Sequence, residues 1–194
     1  MYESVMAGIC ISIGCIANLK ASDPVVGAFL FSIGLLSVIH LGFWLYTGKV
    51  SDPRWAFNPI KLGLCFIFNL MGCALMSFPA GRLEFVRESA QILVIEKGNR
   101  PILTVFISAV LCGILISIAV STKKQLIIIL SVMTFILIGA EHVIADAFYM
   151  FVAGDIDPIF LAVVYAGNYV GGLLFLPVWM KKYHKRKEEN KSSK

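Results

Sequence analysis

Residues 125–152 form an apolar run of 28 residues, and within it the octet Gly139-Ala140-Glu141-His142-Val143-Ile144-Ala145-Asp146 carries a Glu, a His and an Asp. A run of that length and composition crosses a bilayer as a helix. Ionisable side chains at membrane depth are expensive unless they face a bundle interior or a wet cavity. Gly139, directly ahead of them, is a place for the helix to break, and broken helices at that depth survive only where protein or a cavity surrounds them. The feature therefore predicts a multi-span membrane bundle with an internal polar site, and His142 at its centre.

The rest of the chain agrees with that class. It is 58% hydrophobic and 15% charged, with mean hydropathy +0.83, well outside the soluble range. Six apolar runs can be read, at about 5–19, 24–46, 58–79, 101–121, 125–152 and 158–180. Each but the short first has roughly the ~20 residues that crossing a bilayer requires. Four open at or beside Pro24, Pro59, Pro101 and Pro158, where a missing N–H costs little. The expected fold is an all-α integral membrane domain of six transmembrane helices over residues 1–180, followed by a basic tail at 181–194. No basic stretch or small-residue cleavage site precedes the first run, so a cleaved leader is not expected.

Charge and cysteine usage exclude other classes. The net charge is +5, but most of the excess lies in Lys181-Lys182-Tyr183-His184-Lys185-Arg186-Lys187. A basic cluster directly after a span marks a cytoplasmic anchor at the lipid headgroups rather than a nucleic-acid partner. With both termini inside, twelve Lys and Arg fall on cytoplasmic segments and five outside, which supports that orientation in the plasma membrane. The five cysteines, all in apolar runs, form neither a disulfide framework nor a metal pattern. Residues 80–100 mix charges with Leu83, Phe85, Val86 and 92–95, and read as an amphipathic piece at the outer interface.

An internal repeat adds a second broken span. The third run carries Asn69-Leu70-Met71-Gly72 and the sixth Asn168-Tyr169-Val170-Gly171. Each follows a span with a polar break, at Tyr46-Thr47-Gly48 and at His142. Two halves of three spans run in opposite directions, which brings the broken second and fifth helices to one midplane site. Asn69 and Asn168 are expected to cap or bridge the broken helices.

These residues resemble the formate/nitrite transporter family. Its marks are a Leu-Phe-Thr-Gly break, a Glu-His-x-x-Ala-Asn motif and Gly-Asn-x-x-Gly-Gly. Here they stand as Leu45-Tyr46-Thr47-Gly48, Glu141-His142-Val143-Ile144-Ala145-Asp146 and Gly167-Asn168-Tyr169-Val170-Gly171-Gly172. The resemblance spans about residues 6–179. It implies an aquaporin-like 3+3 inverted repeat, a homopentamer with a pore in each protomer, and conduction of small monovalent weak-acid anions such as formate, nitrite or hydrosulfide. It places Thr47 and His142 at the pore centre and Lys97 at an anion vestibule. Phe31, Leu35, Leu45 and Phe135 would form two apolar constrictions. The chain departs from the pattern at Gly113 and Asp146, where Asn is usual, at Trp44 for an acidic residue and at Lys49 for Asn.

An anion does not cross apolar constrictions cheaply, because losing its water is costly. Positive charge at Lys97 would concentrate it, and a proton from the centre would convert it into a neutral acid. His142 is the candidate that titrates near neutral pH, with Thr47 to orient it; hydrogen-bond donation and proton relay are both open. The competing reading of His142 is an inert interhelical histidine; His40 is read as structural and His184 as solvated. Glu141 is expected to hold the broken helix by accepting backbone N–H bonds. For Asp146, protonation, pairing with Lys49 and a second relay role all stand open. An enzyme is not expected, nor a cofactor or metal, since adjacent Glu141 and His142 point to different sides of a helix. A neutral-solute pore of the same architecture is the alternative.

Overall fold

The computed structural model describes residues 1–178 and Met180; Trp179 and the predicted basic tail, with His184, lie outside the described residues. Among the described residues the chain is helical without a strand, in the order α1 (Tyr2–Lys20), α2 (Pro24–His40), α3 (Tyr46–Val50), α4 (Pro59–Ala80), α5 (Glu84–Gly98), α6 (Ile102–Thr122), α7 (Gln125–Leu137), α8 (Val143–Ala153) and α9 (Pro158–Leu174). Tyr2–Lys20, Pro59–Ala80, Ile102–Thr122 and Pro158–Val178 are long and apolar enough to cross a membrane. The second and fifth apolar runs each come instead as two shorter helices, α2 with α3 and α7 with α8.

Local chemistry sets the helix starts. Asp23 and Asp157 cap α2 and α9, each accepting two backbone N–H groups at 2.9 Å, with proline at the first turn. Asn58 caps α4 through the Lys61 N–H. Such caps satisfy donors that a helix start otherwise leaves orphaned. The breaks follow from Gly42 and Gly139, both at positive φ, 75° and 66°, a region most side chains avoid. The second break therefore occupies 41–45, ahead of Tyr46-Thr47-Gly48, which is itself helical; that corrects the sequence reading by a turn.

Packing is by close helix crossings. Helix α1 lies against α2 and α4, and α6 against α9 and α7. A Cβ on Gly72 would sit 2.1 Å from Val5 O, and one on Gly171 2.2 Å from Val110 O, so these crossings need glycine. Gly113 belongs to the second crossing: a Cβ there would be 2.5 Å from Asn168 O. Its missing side chain is a packing requirement. Helix α5 buries Val86, Ala90, Val94 and Lys97, one face at helical spacing, against α8 and α1. The amphipathic segment is thus docked on the bundle through that face rather than simply floating at the interface, while Ile92 and Ile95 stay outward.

Candidate functional site

Both breaks start a helix at the same kind of clamp. Asn69 Oδ1 accepts the Tyr46 N–H at 2.8 Å, and its Nδ2 donates to Ser4 O at 2.7 Å and Trp44 O at 2.9 Å. Asn168 Oδ1 accepts the Val143 N–H at 3.0 Å, and its Nδ2 donates to Ala109 O at 2.8 Å and Glu141 O at 2.9 Å. A side-chain amide has two donors and one acceptor oxygen, so each clamp uses the group almost fully. The pattern extends to Ser12 and Ser117, whose hydroxyls donate to Gly8 O and Gly113 O. Each Asn holds the break nearest it, as the sequence suggests for capping.

The clamps hold α3 and α8 so that Thr47 and His142 meet: Oγ1 and Nε2 are 3.0 Å apart. Both residues are buried. His142 also caps α8, its Nδ1 accepting the Ala145 N–H at 3.3 Å. A ring nitrogen that accepts carries no proton, so the neutral ring bears its hydrogen on Nε2 and donates it to Thr47. Phe135 stacks near the imidazole, with ring centroids 5.9 Å apart, and meets Phe31 edge to face at 5.6 Å. Leu35 and Leu45 are likewise buried. Leu45 and Gly48, with Val38, Lys49, Asp52 and Lys123, line an open cleft of about 140 Å³.

The ionisable residues are arranged differently from the sequence expectation. Lys97 is buried and pairs with Glu141 and, at 3.0 Å, with Asp146 Oδ1. Arg100 Nη1 donates to Glu141 Oε1 at 2.7 Å and to Gly139 O at 2.9 Å. Glu141 therefore does not hold the break through backbone N–H groups. The Val143, Ala145 and Asp146 N–H groups are taken by Asn168, His142 Nδ1 and His142 O, and Glu141 binds the two cations instead. Asp146 does not pair with Lys49, whose ammonium lies 5.7 Å and 5.2 Å from the rings of Trp44 and Trp55. Arg100 entered the sequence reading only as a charge; its place three residues after Lys97, at a helix end, was the available signal.

In the connection after α3, Asp52 is buried, which opposes ionisation. The Arg54 side chain, at 3.0 Å and 2.6 Å, and its backbone N–H nevertheless hold the carboxyl below the usual range. The five cysteines are all buried and free of disulfides. His40 hydrogen-bonds within its own helix, through Nδ1 and Leu36 O at 2.9 Å.

Helical membrane spans, two broken helices and a buried polar junction between them define a transport protein. The family model described as "Formate/nitrite transporter" matches residues 1–181, and the chain belongs to that family. It is thus a membrane transport protein and not an enzyme. A curated relative, the "Uncharacterized transporter YrhG" of Bacillus subtilis (strain 168), is 27% identical over 208 residues, covering 89% of this chain and 76% of that protein. Among solved structures, a "Pentameric formate channel with formate bound" superposes with a TM-score of 0.73 at 22% identity, covering 94% of each chain. An "FNT family ion channel" superposes with a TM-score of 0.73 at 20% identity, covering 96% of this chain and 88% of that one. At these identities the superpositions speak for the fold.

Proposed function

We propose that this protein conducts small monovalent weak-acid anions, with formate, nitrite and hydrosulfide as the candidate substrates. Its protomer is read as an aquaporin-like pair of inverted three-span halves within residues 1–180. It assembles as a homopentamer in the plasma membrane, with both termini and the basic segment 181–194 cytoplasmic. The recurring Asn clamps support two equivalent halves, and the likeness to a pentameric formate channel supports the assembly and the substrate class.

The observation that carries the reading is the Thr47–His142 contact between the two half-helices, flanked by Phe31 and Phe135 and by Leu45. An anion entering from either side meets an apolar ring where it cannot remain fully hydrated. The Nε2–H of His142 is the donor at that point, and Thr47 relays or shares it. Because Nδ1 holds the α8 cap, a second ring proton would break that bond. His142 thus acts through Nε2 alone, as a hydrogen-bond donor. Lys97 serves as the positive group of the vestibule, with Glu141 holding it in place. The neutral-solute pore is favoured by one observation: the two basic groups of the Lys97 cluster lie against two carboxyl groups, which offset the positive charge that would attract an anion.

Flux of formate, nitrite and hydrosulfide into proteoliposomes at several pH values, for wild type and His142→Ala, tests the proposal. Anion flux that depends on pH and on His142 is the expected result. Absence of all three fluxes beside retained water or urea flux would establish the neutral pore instead.

A further inference from the structure

We infer that Asp146 and Arg100 are a matched charge pair that sets the anion preference of the central site. This rests on the anion-pathway reading and deepens it. The four ionisable residues form a series of contacts, Asp146–Lys97–Glu141–Arg100, in which carboxyl and basic groups alternate. Three of them are nearly excluded from solvent, with side chains 2%, 8% and 0% exposed along the series, and Arg100 is 34% exposed. Lys97 and Glu141 each face two opposite charges, whereas Asp146 and Arg100 are the ends and each faces one. With Asp146 ionised, the series sums to zero only while both ends are present.

Asp146 makes its contact with Lys97 through Oδ1, and Oδ2 is buried with no hydrogen-bond partner. A neutral amide oxygen would make the same contact with Lys97. What the carboxylate adds is charge, and a buried charge without full hydrogen bonding is otherwise unfavourable. Arg100 supplies the compensating charge from the opposite end of the series while its Nη1 also fastens Gly139 O in the break. Glu141 directly precedes His142 in the chain, so an imbalance in the series acts within the low-dielectric surround of the imidazole and of an anion beside it. Neutralising Asp146 leaves the series at +1, neutralising Arg100 leaves it at −1, and neutralising both returns it to zero with the Lys97–Glu141 pair intact.

The test is the concentration dependence of initial formate flux in proteoliposomes at one pH, for wild type, Asp146→Asn, Arg100→Gln and the double variant. Half-saturating formate is expected to fall at least about threefold in Asp146→Asn, to rise at least about threefold in Arg100→Gln, and to return close to wild type in the double variant. Merely structural roles would instead move both single variants in one direction and the double further. That outcome, or half-saturation unmoved in folded single variants, overturns the inference. Where a single variant folds poorly, recovery of folded oligomer by the double on size exclusion reads the same cancellation, and a double less stable than either single overturns it. Absence of formate flux in wild type would refute the anion pathway itself, while the stability cancellation would still judge the pair.

Discussion

Replacing Asn168 by leucine isolates what the clamps contribute. Leucine has similar volume and no polar atoms, so the Val143 N–H and the Glu141 carbonyl lose their partner inside the protein. Ala109 O lies within α6, where it also accepts a helical hydrogen bond, and is not fully orphaned. Each stranded buried group costs about 1–3 kcal/mol, so the α7–α8 junction should be destabilised by roughly 2–6 kcal/mol. Even the lower end increases the local opening equilibrium about thirtyfold, since about 1.4 kcal/mol is tenfold. Hydrogen exchange by mass spectrometry reads this directly: peptides over 141–147 should lose protection by at least that factor, while peptides over 44–50 stay unchanged. Asn69→Leu should give the reciprocal pattern, deprotecting 44–50 through Tyr46. Unchanged exchange at 141–147 in a folded Asn168→Leu protein would refute the clamp as the element that holds the break.

Three further outcomes are expected. Thr47→Val strands the donating Nε2–H of His142 and should depress pH-dependent anion flux at least about fivefold, given the cost of about 1–3 kcal/mol for an unpaired buried donor; Thr47→Ser should restore most of it, and equal flux in all three proteins would refute the hydroxyl's role. Lys97→Met leaves Glu141 and Asp146 with Arg100 alone and should cost about 3–5 kcal/mol, seen as loss of the folded species on size exclusion; a normal yield and melting profile would count against a structural charge series. The depressed Asp52 pKa stabilises the folded connection above the unfolded carboxyl's pKa, and this contribution disappears as pH falls through the folded value. Exchange over 51–57, corrected for its intrinsic rate, should therefore rise on acidification in wild type and lose that dependence in Asp52→Asn.

The elements were legible because they follow from local rules. Apolar runs of bilayer length, prolines at helix starts and Asp or Asn caps place the starts of α1, α2, α4, α6 and α9 within a few residues. An ionisable octet behind Gly139 marks the fifth run as broken. The paired Asn-x-x-Gly segments point to the clamps, since a buried amide at a broken helix has to satisfy exposed backbone groups. His142 was singled out by the octet itself and Thr47 as its pore-facing partner through the family resemblance, and the fold brings them within hydrogen-bonding distance.

What needed the tertiary structure is every choice among partners distant in the chain. Lys97 and Glu141 are 44 residues apart, and no spacing rule tells Lys97 from Lys49 as the partner of Asp146. Burial decides it: α5 docks its Lys97 face on α8, so the ammonium reaches both carboxyl groups, while Lys49 is held against Trp44 and Trp55. Helix crossing likewise decides Gly113, whose missing side chain answers to the backbone of Asn168. Composition and periodicity thus determined a broken-helix membrane bundle with a polar centre. Which charges balance at that centre depends on contacts that exist only once the helices pack.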